Sequence, residues 1–560
     1  MVFWLTGLVL AVWWAFARRS PFSVPAPIPD RISRPNGADY LAIVAFAVFL
    51  SVYIFIIFYR ADFGGQDHSQ LTLPLTLTGG VSVAIWPQSG RFWPFGNQEF
   101  DVLRHVAASP KGYLSFATLQ LLVLLGAVFV FLRGFSIAAR LLVLALLLLT
   151  PSFYSAFSGL IYPERNVLVL MAIITLSLQW HDAKPSAWLA ACALVSTHVM
   201  LYFKEPLFAF VLTLAGARLI LRWWNMPPDR RSLRSAIASS PVDLGMVLLA
   251  LGFLALYFGT MLPYRSMEYA QHHATKAAPP EAFLWYLLED PLLIVFIAVA
   301  LARVVHLARV RARPDLLVDP LALAALSYWA VYVVLGMRAH YYMAPVDLIA
   351  ILFLAQVTRM RMAEGRLPAW VPAVTAVVVA VPLLLATWFW VVRNKNFAGG
   401  RLALVEYVKR TADTARAPVR LFLAGQSPYG MMEFGTFLLY KGVRLVSDSA
   451  AGERPGVVVL EGPFAFERGL CVPYRRLPCH AASTPAPGSL VLTLPDDRLP
   501  DGVNSLRPSD PSFVYQPFWI PTVLPLISAT RSELTGSYLK RRQDWMWAYA
   551  EVAPGGTEPH

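Results

Sequence analysis

Apolar residues come in long runs over the first ~390 residues of the chain, separated by short charged loops. Each run is roughly 17–22 residues long, which as a helix matches a hydrocarbon layer about 30 Å thick. Backbone polar groups cannot go unpaired in lipid, so such runs predict helices. A β-barrel would instead show alternating segments of about ten residues, and this region has none. The pattern predicts about 12 transmembrane helices, near 2–17, 39–59, 113–132, 140–157, 166–180, 186–203, 207–222, 242–262, 285–302, 320–336, 343–357 and 369–391. The first run could pass for a signal peptide. It lacks a basic start and a small-residue cleavage site, so it is expected to be a helix.

The period changes after residue 400. In 401–413 (RLALVEYVKRTAD), Leu402, Val405 and Val408 recur at helical spacing. VRLFLAG at 419–425 reads as a strand and MMEFGTFLLYKG at 431–442 as a helix, with VRLVSD, VVVLEGP and SLVLTLP as further strands. The stretch 472–515, rich in Pro, Ser and Asp, reads mainly as loop. Strand–helix–strand order predicts a small α/β domain. The chain therefore divides into a transmembrane domain at 1–392, with a long loop at 60–112, and an α/β domain at 393–560.

Composition excludes an ordinary soluble domain: 57% of residues are hydrophobic and 14% charged, with a mean hydropathy of +0.54. The net charge of +13 sits mostly in alternate loops. Arg18, Arg19, Arg31, Arg34, Arg133, Arg140, Lys184, Arg218, Arg222, Arg230, Arg231, Arg234, Arg303, Arg309, Arg311, Arg313, Arg359, Arg361 and Arg366 share one side. The positive-inside rule makes that side cytoplasmic. The 60–112 loop and 393–560 are then extracytoplasmic. Topology and anionic lipid account for the basic balance, and no motif points to nucleic acid. Of the three cysteines, Cys192 lies in an apolar run, while Cys471 and Cys479 flank a short turn where a disulfide or two free thiols both fit.

Ionisable groups at a membrane boundary are usually paired, hydrated or functional. Several clusters fall on the extracytoplasmic side. YRADFGGQDHSQ carries Arg60, Asp62, Asp67 and His68, and Gly64–Gly65 permits a turn aiming both carboxylates at one cavity. GRFWPFGNQEFDVLR carries Arg91, Glu99, Asp101 and Arg104, and reads as an anchoring, interfacial or re-entrant helix. GLIYPERN holds Glu164 and Arg165, and YFKEP holds Lys204 and Glu205. These fit either helix caps with ion pairs or a seat for a phosphate headgroup. GMRAHYYMAP brings Arg338, His340 and Tyr341, with Arg338 a further phosphate candidate. The His272–His273 pair lacks metal-ligand spacing, so no metal site is assigned and a divalent ion is unsupported. No nucleotide loop, Rossmann fingerprint or serine elbow occurs.

This layout resembles the GT-C superfamily of integral membrane glycosyltransferases, of the bacterial, polyprenyl-phosphate-sugar dependent type. The resemblance rests on an acidic loop just outside an early span, here with Asp62 and Asp67, and on VRLFLAG…FGTFLLYKGVRLVSD after the last span. Two features depart from the family: the acidic loop follows the second span rather than the first, and the pair reads D-x-x-x-x-D. The resemblance implies a multi-pass protein of the bacterial inner membrane with its C-terminal domain periplasmic. It implies a polyprenyl-phosphate-linked sugar donor and a glycan or lipid acceptor. Asp62, or secondarily Asp67, would be the general base. Arg165, Lys204, Arg338 and Arg91 would meet the leaving phosphate, with Glu164, Glu205, His340 and Tyr341 completing the substrate site. Two other classes fit less well. A lipid-linked polysaccharide polymerase or ligase concentrates its chemistry in a late loop, whereas the long loop here is early. A non-enzymatic lipid or polysaccharide transporter favours polar midplanes, and Asp347 is the main polar residue of that kind.

Overall fold

The structure is a computed structural model. It describes residues 36–493 with gaps at 60, 64–70, 73–74, 77–83, 87–90, 228, 230, 262–277, 311–312, 365–367, 369, 424–427, 463–476 and 487, and also residues 506–507 and 548–552. The expected span 2–17, Asp67, His272, His273 and Cys471 lie outside the described residues.

Helix α1 (Gly37–Phe58) is followed by β1 (Ala84–Trp86), β2 (Arg91–Trp93) and α2 (Glu99–Leu103). Then come α3 (Pro110–Phe131), α4 (Ile137–Leu148), α5 (Pro151–Ser158), α6 (Glu164–Ala183), α7 (Ala187–Leu201), α8 (Leu207–Asn225), α9 (Leu233–Ser239) and α10 (Pro241–Met261). The helical part closes with α11 (Pro279–Glu289), α12 (Pro291–Val310), α13 (Val318–Val334), a 3-10 turn (His340–Met343), α14 (Ala344–Ala363) and α15 (Trp370–Thr414). Among the described residues, 8 helices are long and apolar enough to cross a membrane, or up to 9 with the bent pair α4–α5. Of the expected spans other than 2–17, 186–203 and 320–336 fall on the shorter apolar helices α7 and α13, 285–302 straddles α11 and α12, and the rest fall on the helices just counted. A multi-pass helical bundle followed by a small α/β sheet is the layout expected above.

Local chemistry explains the departures. The run 140–157 is two helices bent by 70°. Thr150 caps α5 by accepting the Phe153 N–H, and Pro151 occupies its first turn. The break frees the Leu149 carbonyl, which accepts a bond from the Thr387 hydroxyl at 2.6 Å. Irregular backbone at membrane depth persists only when buried and satisfied in this way. The run 285–302 also breaks, at Asp290, whose carboxylate accepts the Leu292 N–H at 3.0 Å and caps α12. Conversely, 401–413 is no separate helix but the end of the 45-residue α15. Polar residues at 392–400 end the apolar run without ending the helix, because only hydropathy changes there. GRFWPFGNQEFDVLR forms β2 and the five-residue α2, joined by a turn in which Asn97 has φ 65°, rather than one helix. VRLVSD contributes one bridge, Leu445 to Val458, instead of a strand.

The chain forms two compact units: Met1–Ile57, Val83–Glu99 and Leu114–Trp388, and Phe58–Ser82, Phe100–Tyr113 and Phe389–His560. In the first, α6 packs on α7, α8 on α10 and α13, and α14 on α13, α12 and α6. α14 is buried over most of its apolar stretch, whereas α1 exposes most of its side chains and is the most apolar helix. In the second, β3 (Val419–Leu423), α16 (Pro428–Tyr440), α17 (Asp448–Ala451), β4 (Val458–Gly462), β5 (His480–Ala481), β6 (Leu490–Thr493), β7 (Leu506–Arg507) and β8 (Ala548–Val552) follow α15. The sheet order is β5-β4-β3-β6-β8-β7. β3, β4, β5 and β6 pair in parallel, and β8 runs antiparallel to β6 and β7. Val458, Val459 and Leu460 are all buried, the continuous apolar pattern of a strand covered on both faces. Gly435 lets α16 sit close on the sheet: an added Cβ would lie 2.6 Å from a Leu477 methyl.

Candidate active site

In the helical unit, charged side chains form two layers, one near each end of the helices. Arg165 opens α6 and Asp182 nears its end, so about 26 Å of helix separates them. The second layer is closed on itself. Arg218 is 1% exposed and donates to Asp243 at 2.6 Å, to both Asp182 oxygens at 3.0 Å and to the Leu316 carbonyl at 2.9 Å. Arg222 bonds the same two aspartates at 2.6 and 3.2 Å. Two guanidiniums thus neutralise two carboxylates.

The first layer gathers most of the residues singled out from the sequence. Glu164 and Arg165 are not in a loop but in the first turn of α6, both fully buried. Lys204 donates to Glu164 at 2.9 Å. Its ammonium lies 4.6 Å from the Tyr342 ring centroid and 5.7 Å from that of Tyr341. Glu205 accepts from the Arg91 guanidinium at 3.1 Å and from the Phe92 N–H at 2.8 Å. Arg165 donates to the Leu160 carbonyl at 2.6 Å and stands 3.6 Å from Glu99. Asn166 donates to the same Glu99 at 2.9 Å. Tyr162 stacks on Tyr341 with ring centroids 3.9 Å apart. Each of Arg91, Arg165 and Lys204 therefore has a carboxylate neighbour, and a phosphate arriving there must share or exchange partners with Glu205, Glu99 or Glu164.

Burial sets the protonation behaviour of the loop residues. Desolvation lowers the Lys204 ammonium below the usual lysine range, with Glu164 acting in the opposite sense. Burial works to raise the Glu205 carboxyl, but Arg91 and Lys204 outweigh it and hold it below the usual glutamate range.

Arg338 and His340 form a separate group. Arg338 pairs with Glu281 at 2.6 Å. His340 lies 3.5 Å from Glu289. Beside them Asp347 accepts from Ser152. His340, Glu289, Asp290, Asp347 and Ser152, with Pro151, Tyr286 and Met343, line a narrow crevice at the α4–α5 break. Sequence reasoning noted Asp347 but missed Glu289 and Asp290, which sat inside an expected span. An acidic pair directly before Pro291 was the available signal for a break. Among the described residues, no group of three or more His, Cys, Asp or Glu could hold a metal ion.

In the second unit, Asp62 follows α1 and accepts a bond from Lys441. Its other oxygen accepts the Phe63 N–H at 2.7 Å. Nothing in the sequence linked Asp62 to Lys441, which lies 379 positions away.

No family model matches the chain, and no curated protein matches it. Among solved structures, it is similar to the crystal structure of ArnT from Cupriavidus metallidurans in the apo state. That similarity has 13% identity and a TM-score of 0.46, over 81% of this chain and 94% of that one. It is also similar to ArnT from Cupriavidus metallidurans bound to undecaprenyl phosphate, with 12% identity and a TM-score of 0.48, over 94% of this chain and 100% of that one.

Proposed function

We propose that the chain is a membrane glycosyltransferase moving a hexosyl or pentosyl group from a polyprenyl-phosphate donor to a glycan or lipid acceptor. Its seat is the bacterial inner membrane, with the reaction and residues 393–560 on the extracytoplasmic side. Lys204 carries this reading. Its ammonium is buried between Glu164 and the faces of two tyrosines, just past the end of an apolar helix and in one layer with Arg91 and Arg165. A buried cation at a membrane boundary calls for a function, and the headgroup phosphate of a membrane lipid matches its charge and depth. The isoprenoid tail of such a donor would lie along the apolar helices.

The chemistry follows from the poor nucleophilicity of a sugar hydroxyl. Asp62, with Asp67 as second choice, takes the hydroxyl proton as the oxygen attacks the anomeric carbon. Polyprenyl phosphate leaves with the bonding pair, and Lys204, Arg165, Arg338 and Arg91 meet the developing charge. Direct displacement inverts the anomeric centre. No metal is invoked.

The test uses full-length protein in proteoliposomes, with radiolabelled polyprenyl-phosphate hexose or pentose as donor and an envelope lipid extract as acceptor. Asp62→Asn is expected to lower transfer by roughly 10²–10⁴-fold, the usual worth of a general base. Lys204→Met is expected to raise the donor KM. If Asp62→Asn and Asp67→Asn both transfer label like the wild type, the enzyme reading falls.

A further inference from the structure

The acidic segment Phe58–Ser82 belongs to the same compact unit as the C-terminal sheet. The contacts between them centre on the end of α16. Gly442, at φ +83°, stops that helix. Its N–H turns back to the Leu439 carbonyl at 2.9 Å, and the Val443 N–H bonds the Leu438 carbonyl at 3.0 Å. The stop places Lys441 at the helix end, with its ammonium on one Asp62 oxygen while the Phe63 N–H holds the other. Further contacts fix the docking. The Phe63 ring meets the Tyr440 ring edge-on at 4.9 Å, and the buried Thr72 and Thr436 hydroxyls bond at 3.1 Å.

Resting on the reading of Asp62 as general base, we propose that Lys441 is a positioning residue for the transfer step, through which the C-terminal domain holds the base aimed. The Asp62 side chain is 9% exposed and that of Lys441 is 25% exposed. Among the described residues, Lys441 is the cation paired with Asp62. Burial raises the Tyr440 phenol above its usual range, and the Asp62 charge raises it further, so it stays neutral. Tyr113, Arg104 and Asp101 face one another beyond it, and Lys409 reaches only the Lys441 carbonyl, at 3.2 Å. In the step itself, the acceptor O–H proton passes to Asp62 as the new bond to the anomeric carbon forms. The bond from that carbon to the phosphate oxygen breaks, and polyprenyl phosphate departs with the electron pair.

The experiment measures transfer from polyprenyl-phosphate hexose or pentose by full-length protein in proteoliposomes. Lys441→Met is expected to lower kcat roughly tenfold or more with little change in donor KM. Lys441→Arg keeps the charge and is expected to restore kcat. In an Asp62→Asn background, Lys441→Met is expected to have no further effect on kcat. The proposal is overturned if Lys441→Met leaves kcat unchanged, if Lys441→Arg fails to restore it, or if Lys441→Met lowers kcat further in the Asp62→Asn background, which marks a structural role. If Lys441→Met does not fold, Lys441→Gln against Lys441→Arg carries the same comparison. An active Asp62→Asn would instead sink the general-base reading, whatever Lys441 does.

Discussion

Arg218 and Lys395 show two ways in which a buried cation behaves in this chain. Arg218 is matched by Asp182 and Asp243, and removing it leaves two carboxylates with Arg222 as their remaining counter-charge. Breaking one side of a buried ionic cluster costs roughly 3–5 kcal/mol. Arg218→Met is therefore expected to lower the melting temperature in detergent sharply, and Arg218→Lys to recover only part of it, since an ammonium lacks the planar fork. Lys395, on α15 beyond the apolar stretch, has its ammonium pushed down to about 8 by burial. Because that value lies below the value in the unfolded chain, the unfolded state binds more protons between about pH 8 and 10.5. The Lys395 contribution to stability is then expected to rise with pH across that window. Lys395→Met should remove the rise and stabilise the protein below pH 8. Melting curves at stepped pH check this, and identical pH dependence in the two proteins would refute it.

Helix breaks are where the elements depart from their apolar patterns. The α4–α5 corner depends on a hydroxyl reaching it from α15. Thr387→Val would leave the Leu149 carbonyl buried and unpaired, at a cost of about 1–3 kcal/mol. The expected result is a lower melting temperature for Thr387→Val and a near-native one for Thr387→Ser. Equal values would show that the corner does not need this bond. α15 is the opposite case, a helix that outlasts its apolar run. Hydropathy reports where lipid ends, whereas only backbone geometry and hydrogen bonding report where a helix ends.

At the scale of the whole molecule, sidedness and redox state check each other. Cys479 is disulfide-bonded and Cys192 is a free thiol. A disulfide persists in an oxidising compartment, the kind of side that the basic loops predict for residues 393–560. Denatured protein alkylated without reductant is expected to carry one label, on Cys192, and three after reduction. Three labels without reductant would remove this support for an extracytoplasmic tail.

Much of this architecture was legible in the one-dimensional pattern. Run length against bilayer thickness is a local property, so the expected spans within the described residues could be placed by counting. The basic loops predicted sidedness for the same reason: each is read near its own span. Three of the six described tail strands, β3, β4 and β6, followed from short apolar stretches bounded by turns. Partner choice was not legible. Lys204 and Glu205 stood out as charges at a boundary, yet their pairing with Glu164 and Arg91 depends on how α6, α7 and the β2 loop pack. Glu289 and Asp290 were hidden inside an apparent span. The link from Asp62 to Lys441 joins residues 379 positions apart, brought together by the docking of a loop on a sheet domain. The sequence by itself determined a multi-pass chain with charge on one outer face and an α/β tail, because hydropathy and charge act residue by residue. Only the tertiary structure decided which charges neutralise which, where helices bend and which residue holds Asp62. Those choices turn on distances of a few ångströms that no linear spacing encodes.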